Sequence, residues 1–262
     1  MRDSSKGCGP LLPRETPAMK KAYRAAVLLS ACCLTLLPRA SAALEVSKIE
    51  AQSGGRQIEI DKYEGSQRGK QPAILVLHGA GGILLDGPEM RRMALRLAEA
   101  GNSVYLVHYF NRTGTLFGLD AGMQKNFSVW LETIRDCVTA VQRDHGDSSP
   151  VGIYGYSLGA FLAVAAASDN SAVGAVVEQA GGIWNGKTQR IHKMPPVLVL
   201  HGEADQRVPF PKYALPLVKV LRMRGAIVQT RFFPGEGHGF TRPAMSVARD
   251  AATGFFRQHL RP

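Results

Sequence analysis

The sequence predicts an α/β protein, a mostly parallel central sheet of about eight strands with helices on both faces. Three observations carry that expectation. From Ile74 onward, short apolar runs alternate with stretches of helical period, the pattern of strands buried on both sides. At 262 residues, with 45% hydrophobic and 20% charged residues, the chain has ample length for one large core. Four loops rich in glycine or acid, His78–Gly82, Gly155–Gly159, His201–Asp205 and Gly235–Phe240, each stand just past a strand-like run.

In chain order, Ile49–Ala51 and Gln57–Tyr63 read as opening antiparallel strands separated by Ser53-Gly54-Gly55. Further strands are expected at 73–78, 103–109, 151–155, 173–179, 196–201 and 227–233. A helix over Pro88–Ala100 places Met90, Met93 and Leu97 on one side, and a second over Asn126–Arg143 aligns Trp130, Ile134, Val138 and Val141. These stripes are core packing. The last helix, Ala244–His259, is expected to lay Val247, Ala251 and Phe255 on the sheet. A single domain is expected over 43–262.

Residues 1–42 read as an N-terminal extension and a secretion signal. Met19-Lys20-Lys21-Ala22-Tyr23-Arg24 is a basic start, Ala25–Leu37 an apolar run, and Ala40-Ser41-Ala42 a small-residue cleavage pattern. The expectation is initiation at Met19, cleavage after Ala42 and export to the periplasm or medium. The apolar run is too short for a comfortable membrane span of about 20 residues. An alternative stays open: Leu29-Ser30-Ala31-Cys32 resembles a lipobox, which would anchor the mature chain to a membrane through a lipidated Cys32. Cleavage after Ala42 would leave Cys137 as the one cysteine and no internal disulfide.

Gly155-Tyr156-Ser157-Leu158-Gly159 lies between an apolar run and an alanine-rich run, so a serine sits at the apex of a strand–turn–helix. This pattern resembles the nucleophile elbow of α/β-hydrolases, whose partners follow in the order acid, then histidine. Asp205 and His238 stand in that order. Ser157 is expected to attack, His238 to take and return its proton, and Asp205 to fix the imidazole. Glu203 and Glu178 are rival acids. Backbone N–H groups of Leu158 and Ala80 would receive the oxyanion. His78 and His201 read as braces of their loops.

The remaining numbers narrow the function classes. Net charge is +11; of 32 basic and 21 acidic residues, seven and two fall in 1–42, leaving 25 and 19 from Ala43 onward. That surface is moderately basic, and no basic stripe interleaved with aromatics marks a nucleic-acid partner. A nucleotide cofactor is not expected: Leu84 stands where the last glycine of a dinucleotide loop would be, and the next strand runs into His108, not an acid. No metal is expected, since histidines and acids lack ligand spacing.

The blocks Val151–Gly159, His201–Pro209 and Gly237–Phe240 resemble the dienelactone hydrolase family, over about Gln71–Pro262. The resemblance implies a cofactor-independent hydrolase acting on a small-molecule ester or lactone. The founding enzymes have a cysteine where this chain has Ser157, and an oxyanion-loop glutamate where it has Gly79. In them two arginines bind the substrate carboxylate; Arg112 and Arg242 hold similar positions here and are implied to face the serine together. Tyr109, Phe110, Phe117 and Trp184 are candidates for apolar walls. A prolyl-oligopeptidase-like peptidase or amidase, and a non-catalytic hydrolase-fold binding protein, are the alternatives.

Overall fold

In a computed structural model of the chain, residues 44–65, 71–146, 149–183 and 191–260 are described. The expected secretion signal, the Cys32 lipidation site and Trp184 lie outside them. Strands β1 (Glu45–Ser53) and β2 (Arg56–Glu64) form an antiparallel hairpin over nine register pairs. Six shorter strands follow: β3 (Ala73–Leu77), β4 (Ser103–Val107), β5 (Val151–Tyr156), β6 (Val173–Gln179), β7 (Val197–Gly202) and β8 (Val228–Phe233). They make one eight-stranded sheet in the order β1-β2-β4-β3-β5-β6-β7-β8. Only the β1/β2 and β2/β4 pairs are antiparallel.

The connections are α1 (Gly82–Leu85), α2 (Gly87–Glu99), α3 (Asp120–Asp144), α4 (Leu158–Ala167), α5 (Phe210–Met223) and α6 (Arg242–His259). Helices α3, α4 and α5 cover one face of the sheet, and α2 and α6 the other, so each central strand is buried on both sides. On α3, Trp130, Ile134, Val138 and Val141 are all buried, each contributing roughly 1.5–3 kcal/mol of apolar transfer. Strand β3 lies between β4 and β5, so the chain leaving β3 and the chain leaving β5 depart in opposite directions. That divergence opens a crevice above the carboxyl ends of β3 and β5.

Two element boundaries and one buried helix face differ from the sequence expectation as follows. Strand β4 stops at Val107, and His108, paired with Asp61 at 3.1 Å, leads into a 3₁₀ turn over Tyr109–Arg112. Helix α3 begins at Asp120, six residues early, because Gly122 and the polar residues around it show no apolar stripe although Met123 is buried. On α6 the buried face is Met245, Ala248, Ala252, Phe255 and Phe256, while Val247 is exposed. The stripe is rotated about one residue from the expected one. Among the described residues, no helix is long and apolar enough to cross a membrane.

Candidate active site

Strand β5 passes into α4 through Ser157 alone, and the turn is too tight for ordinary backbone. Ser157 adopts φ 53° and ψ −118°, a left-handed conformation that costs about 1–3 kcal/mol for a residue with a β-carbon. Neighbouring groups hold it there. Its N–H donates to the Gln179 carbonyl at 2.9 Å, and its carbonyl accepts from Ala160 and Phe161. A β-carbon on Gly159 would lie 2.5 Å from the Leu77 and His78 carbonyls, and one on Gly155 would lie 2.7 Å from Ala160 Cα. Both positions therefore require glycine. Ser157 Oγ is left standing at the start of α4, whose first amide, on Leu158, has no acceptor within the helix.

The loops after β7 and β8 are joined by backbone bonds, Glu203 N–H to the Phe233 carbonyl (3.1 Å) and Ala204 N–H to the Glu236 carbonyl (3.0 Å). Strand adjacency thus brings the acid to the histidine. Asp205 Oδ2 accepts from His238 Nδ1 at 2.8 Å, and His238 Nε2 lies 2.9 Å from Ser157 Oγ. A carboxylate only accepts, so the ring proton is on Nδ1, and the Nε2 lone pair faces the serine hydroxyl. Asp205 Oδ1 accepts from the amides of Arg207 and Val208, both at 2.8 Å. Such bonds to a buried charge contribute about 1.5–3 kcal/mol each. Tyr156 packs beside the imidazole and its hydroxyl donates to the His238 carbonyl at 3.3 Å.

The two bracing histidines act as expected. His201, wholly buried, donates from Nε2 to the Val208 carbonyl at 2.8 Å and lies 3.4 Å from Asp205 Oδ2. Burial, the largest influence on it, holds its basicity below the ordinary range. His78 donates from Nδ1 to the Gly79 carbonyl at 2.8 Å, and burial pushes its pKa down to about 3, so it stays neutral. Tyr109 stacks on it at 4.1 Å and donates to the His78 carbonyl at 2.8 Å.

Ser157, Leu158 and Ala80 line one cavity of about 280 Å³, together with Phe161, Tyr213 and Val208. The rival acids do not reach it. Glu178 is buried under α4 with its carboxylate on the Gly181 amide, and Glu203 is exposed. The expected arginine pair is not assembled. Arg112 folds its guanidinium over Gly54 in the β1–β2 turn, with β4 and β3 between β2 and the serine strand. Arg242 lines a separate cleft of about 480 Å³ with Tyr156, Gly239 and Phe240. The cations beside the serine are Arg207, paired with Asp120 at 2.5 Å, and Lys212, over the Tyr213 ring at 5.2 Å. Neither carries a sequence signal of its own: Arg207 sits in the acid's own loop and Lys212 in a segment without a motif. Tyr109 and Phe110 are not cavity walls: they are buried against Trp130, and Phe117 is exposed. Among the described residues, no three His, Cys, Asp or Glu side chains converge as a metal site would need.

Gly79, where the founding dienelactone hydrolases carry a glutamate, has no space for one. A β-carbon there would lie 2.7 Å from Asp86 Oδ2 and 3.1 Å from both Ser157 Cβ and the Tyr156 ring. Asp86 itself gave no sequence signal beyond a helix start, an acid before Gly87-Pro88.

Sheet order, elbow and loop placement together define an α/β-hydrolase. The family model for dienelactone hydrolases matches residues 60–255, and the chain belongs to that family. No curated protein matches the sequence. Among solved structures, a putative dienelactone hydrolase from Klebsiella pneumoniae is similar, with TM-score 0.69 and 18% identity, covering 83% of this chain and 100% of that one. A dienelactone hydrolase-like promiscuous phosphotriesterase from metagenomic libraries gives 0.68 and 17%, over 83% and 99%. A cold-adapted esterase from an Arctic intertidal metagenomic library gives 0.64 and 14%, over 83% and 95%. At these identities the likeness speaks to the fold, and the family makes the protein a hydrolase.

Proposed function

We propose that the protein is a serine hydrolase that cleaves carboxylic esters or lactones through an acyl-enzyme. The observation that carries this reading is the unbroken row Ser157 Oγ, His238 and Asp205, at 2.9 and 2.8 Å, opening on a cavity lined by the Leu158 and Ala80 backbones. Ser157 Oγ bonds to the ester carbonyl carbon while its proton passes to His238 Nε2. The carbonyl oxygen becomes an oxyanion received by the Leu158 and Ala80 amides. Collapse breaks the carbon–oxygen bond to the alcohol, which leaves with the proton from His238; in a lactone the alcohol stays attached as the ring-opened chain. Water then repeats the sequence on the acyl-enzyme, releasing the carboxylic acid and restoring Ser157. The cavity is slightly smaller than the roughly 300–1,000 Å³ of sites that enclose drug-sized ligands, which favours short acyl groups.

Purified protein should hydrolyse p-nitrophenyl acetate and butyrate, and a fluorophosphonate probe should label it once, at Ser157. Ser157→Ala should lose the label and lower kcat by about 10⁴-fold or more. Undiminished turnover in that variant would refute the nucleophile. Peptide p-nitroanilides cleaved faster than esters would move the assignment to an amidase, and a folded protein without label or turnover would point to a binding role.

A further inference from the structure

The tripeptide Gly79-Ala80-Gly81 is held from two sides. On the side of the serine, Ala80 lines the 280 Å³ cavity; on the other, Asp86 lines the 480 Å³ cleft. The loop's carbonyls are committed: Gly79 O accepts from Gly82 N–H (3.1 Å) and His78 Nδ1 (2.8 Å), and Ala80 O accepts from Gly118 N–H (2.7 Å). One of its amides is committed as well: Gly81 N–H donates to Asp86 Oδ2 at 3.0 Å, and the Gly79 amide lies where it favours the charged form of that carboxylate. The amide between them, on Ala80, has no acceptor among the described residues.

Asp86 holds the N-cap position of α2, where an aspartate side chain ordinarily accepts from the second or third amide of the helix. Here it makes no such bond. The carboxylate turns away from its own helix and lies against the loop, so close that a β-carbon on Gly81 would stand 2.5 Å from Oδ1. This placement also half-buries it, which raises its pKa from its ordinary value against the pull of the neighbouring amides. A side chain serving only as a helix cap would have neither the orientation nor the burial.

We propose that Asp86 is the positioning residue of the oxyanion loop. By holding the Gly81 amide and lying against Gly79 from behind, it turns the Ala80 N–H toward the serine, where the substrate's carbonyl oxygen becomes charged. The role rests on the ester-hydrolase reading above, and it makes a distinct demand. A group that aims a transition-state donor should affect kcat and leave KM nearly alone.

The experiment compares Asp86→Ala and Asp86→Asn with wild type in p-nitrophenyl butyrate turnover, thermal unfolding and inhibition by an aryl trifluoromethyl ketone, whose serine adduct carries an oxyanion. Removing an oxyanion donor outright lowers kcat by about 10²–10³-fold, so a donor left in place but released should lose roughly 30-fold on the same scale. The expected result is that loss in Asp86→Ala with KM within about threefold, inhibition weakened by the same factor, and partial rescue in Asp86→Asn, which retains one acceptor oxygen. Unchanged kcat, a change confined to KM, or weaker turnover with unchanged ketone inhibition would overturn the proposal. So would loss of folding in both variants, which would assign Asp86 to the β3–α2 connection itself. Turnover by wild type and its loss in Ser157→Ala test the ester-hydrolase reading separately, so a failure at Asp86 leaves that reading standing.

Discussion

Two neighbouring strands each deliver a carboxyl group to the same end of the sheet, and the two acids receive very different sets of hydrogen-bond donors. Glu178 on β6 and Asp205 just past β7 both have side chains without solvent exposure. Glu178 receives one hydrogen bond, from Gly181 N–H at 3.0 Å, and its Oε1 has no partner among the described residues. Burial therefore pushes its pKa up to about 8 and it keeps its proton at neutral pH. Asp205 receives two backbone amides and the His238 ring, and lies 3.4 Å from His201. Equal burial thus comes with one donor for Glu178 and three for Asp205. Only the loop after β7 turns back on itself to supply them.

That contrast is open to experiment, beginning with its largest consequence. Asp205→Asn keeps the shape but allows the wrong imidazole tautomer, and should lower kcat by about 10⁴-fold. Glu178→Gln should leave kcat for short p-nitrophenyl esters within about threefold of wild type, because among the described residues no hydrogen bond or ion pair joins it to the Ser157–His238–Asp205 row. A large loss there would erase the distinction between the two acids.

The next effect is on stability. Between its ordinary 4.5 and about 8, Glu178 holds a proton in the folded protein that the unfolded chain has released. The folded state binds more protons across that window, so stability should fall as pH rises through it, by up to about 1.4 kcal/mol per pH unit. Glu178→Gln cannot ionise, so urea unfolding of the two proteins from pH 5 to 8 should show wild type losing stability relative to the variant. Parallel pH curves would show that Glu178 does not titrate there. The smallest effect should come from His201→Gln. Glutamine can still donate to the Val208 carbonyl, so weakening of the 3.4 Å approach to Asp205 should lower kcat by less than about tenfold.

The parts of the site legible in the sequence were those with local geometric demands. Gly155 and Gly159 announce an elbow because no β-carbon fits there, and acid and histidine loops follow strands whose apolar runs are unmistakable. Arg112 shows the limit. The family resemblance implied a partnership with Arg242, yet a 3₁₀ turn over Tyr109–Arg112 carries it to the β1–β2 hairpin. Nothing local distinguishes the strand expected through residue 109 from the one that ends at 107, because His108 ends it through a bond to Asp61, 47 residues away. The α6 face was missed for a related reason. Its alanines satisfy several helical stripes, and packing against β6 and β7 selects the one through Met245 and Ala252.

By itself the sequence determined the α/β alternation, the serine at its tight turn and the order of acid and base, since each follows from short-range sterics or strand periodicity. Tertiary structure alone decided which buried acid is given donors, where the arginines lie and what packs against the Gly79–Gly81 loop. Those depend on donors and neighbours that arrive from distant segments, and a carboxylate's state is a property of its surroundings, which no local pattern of residues encodes.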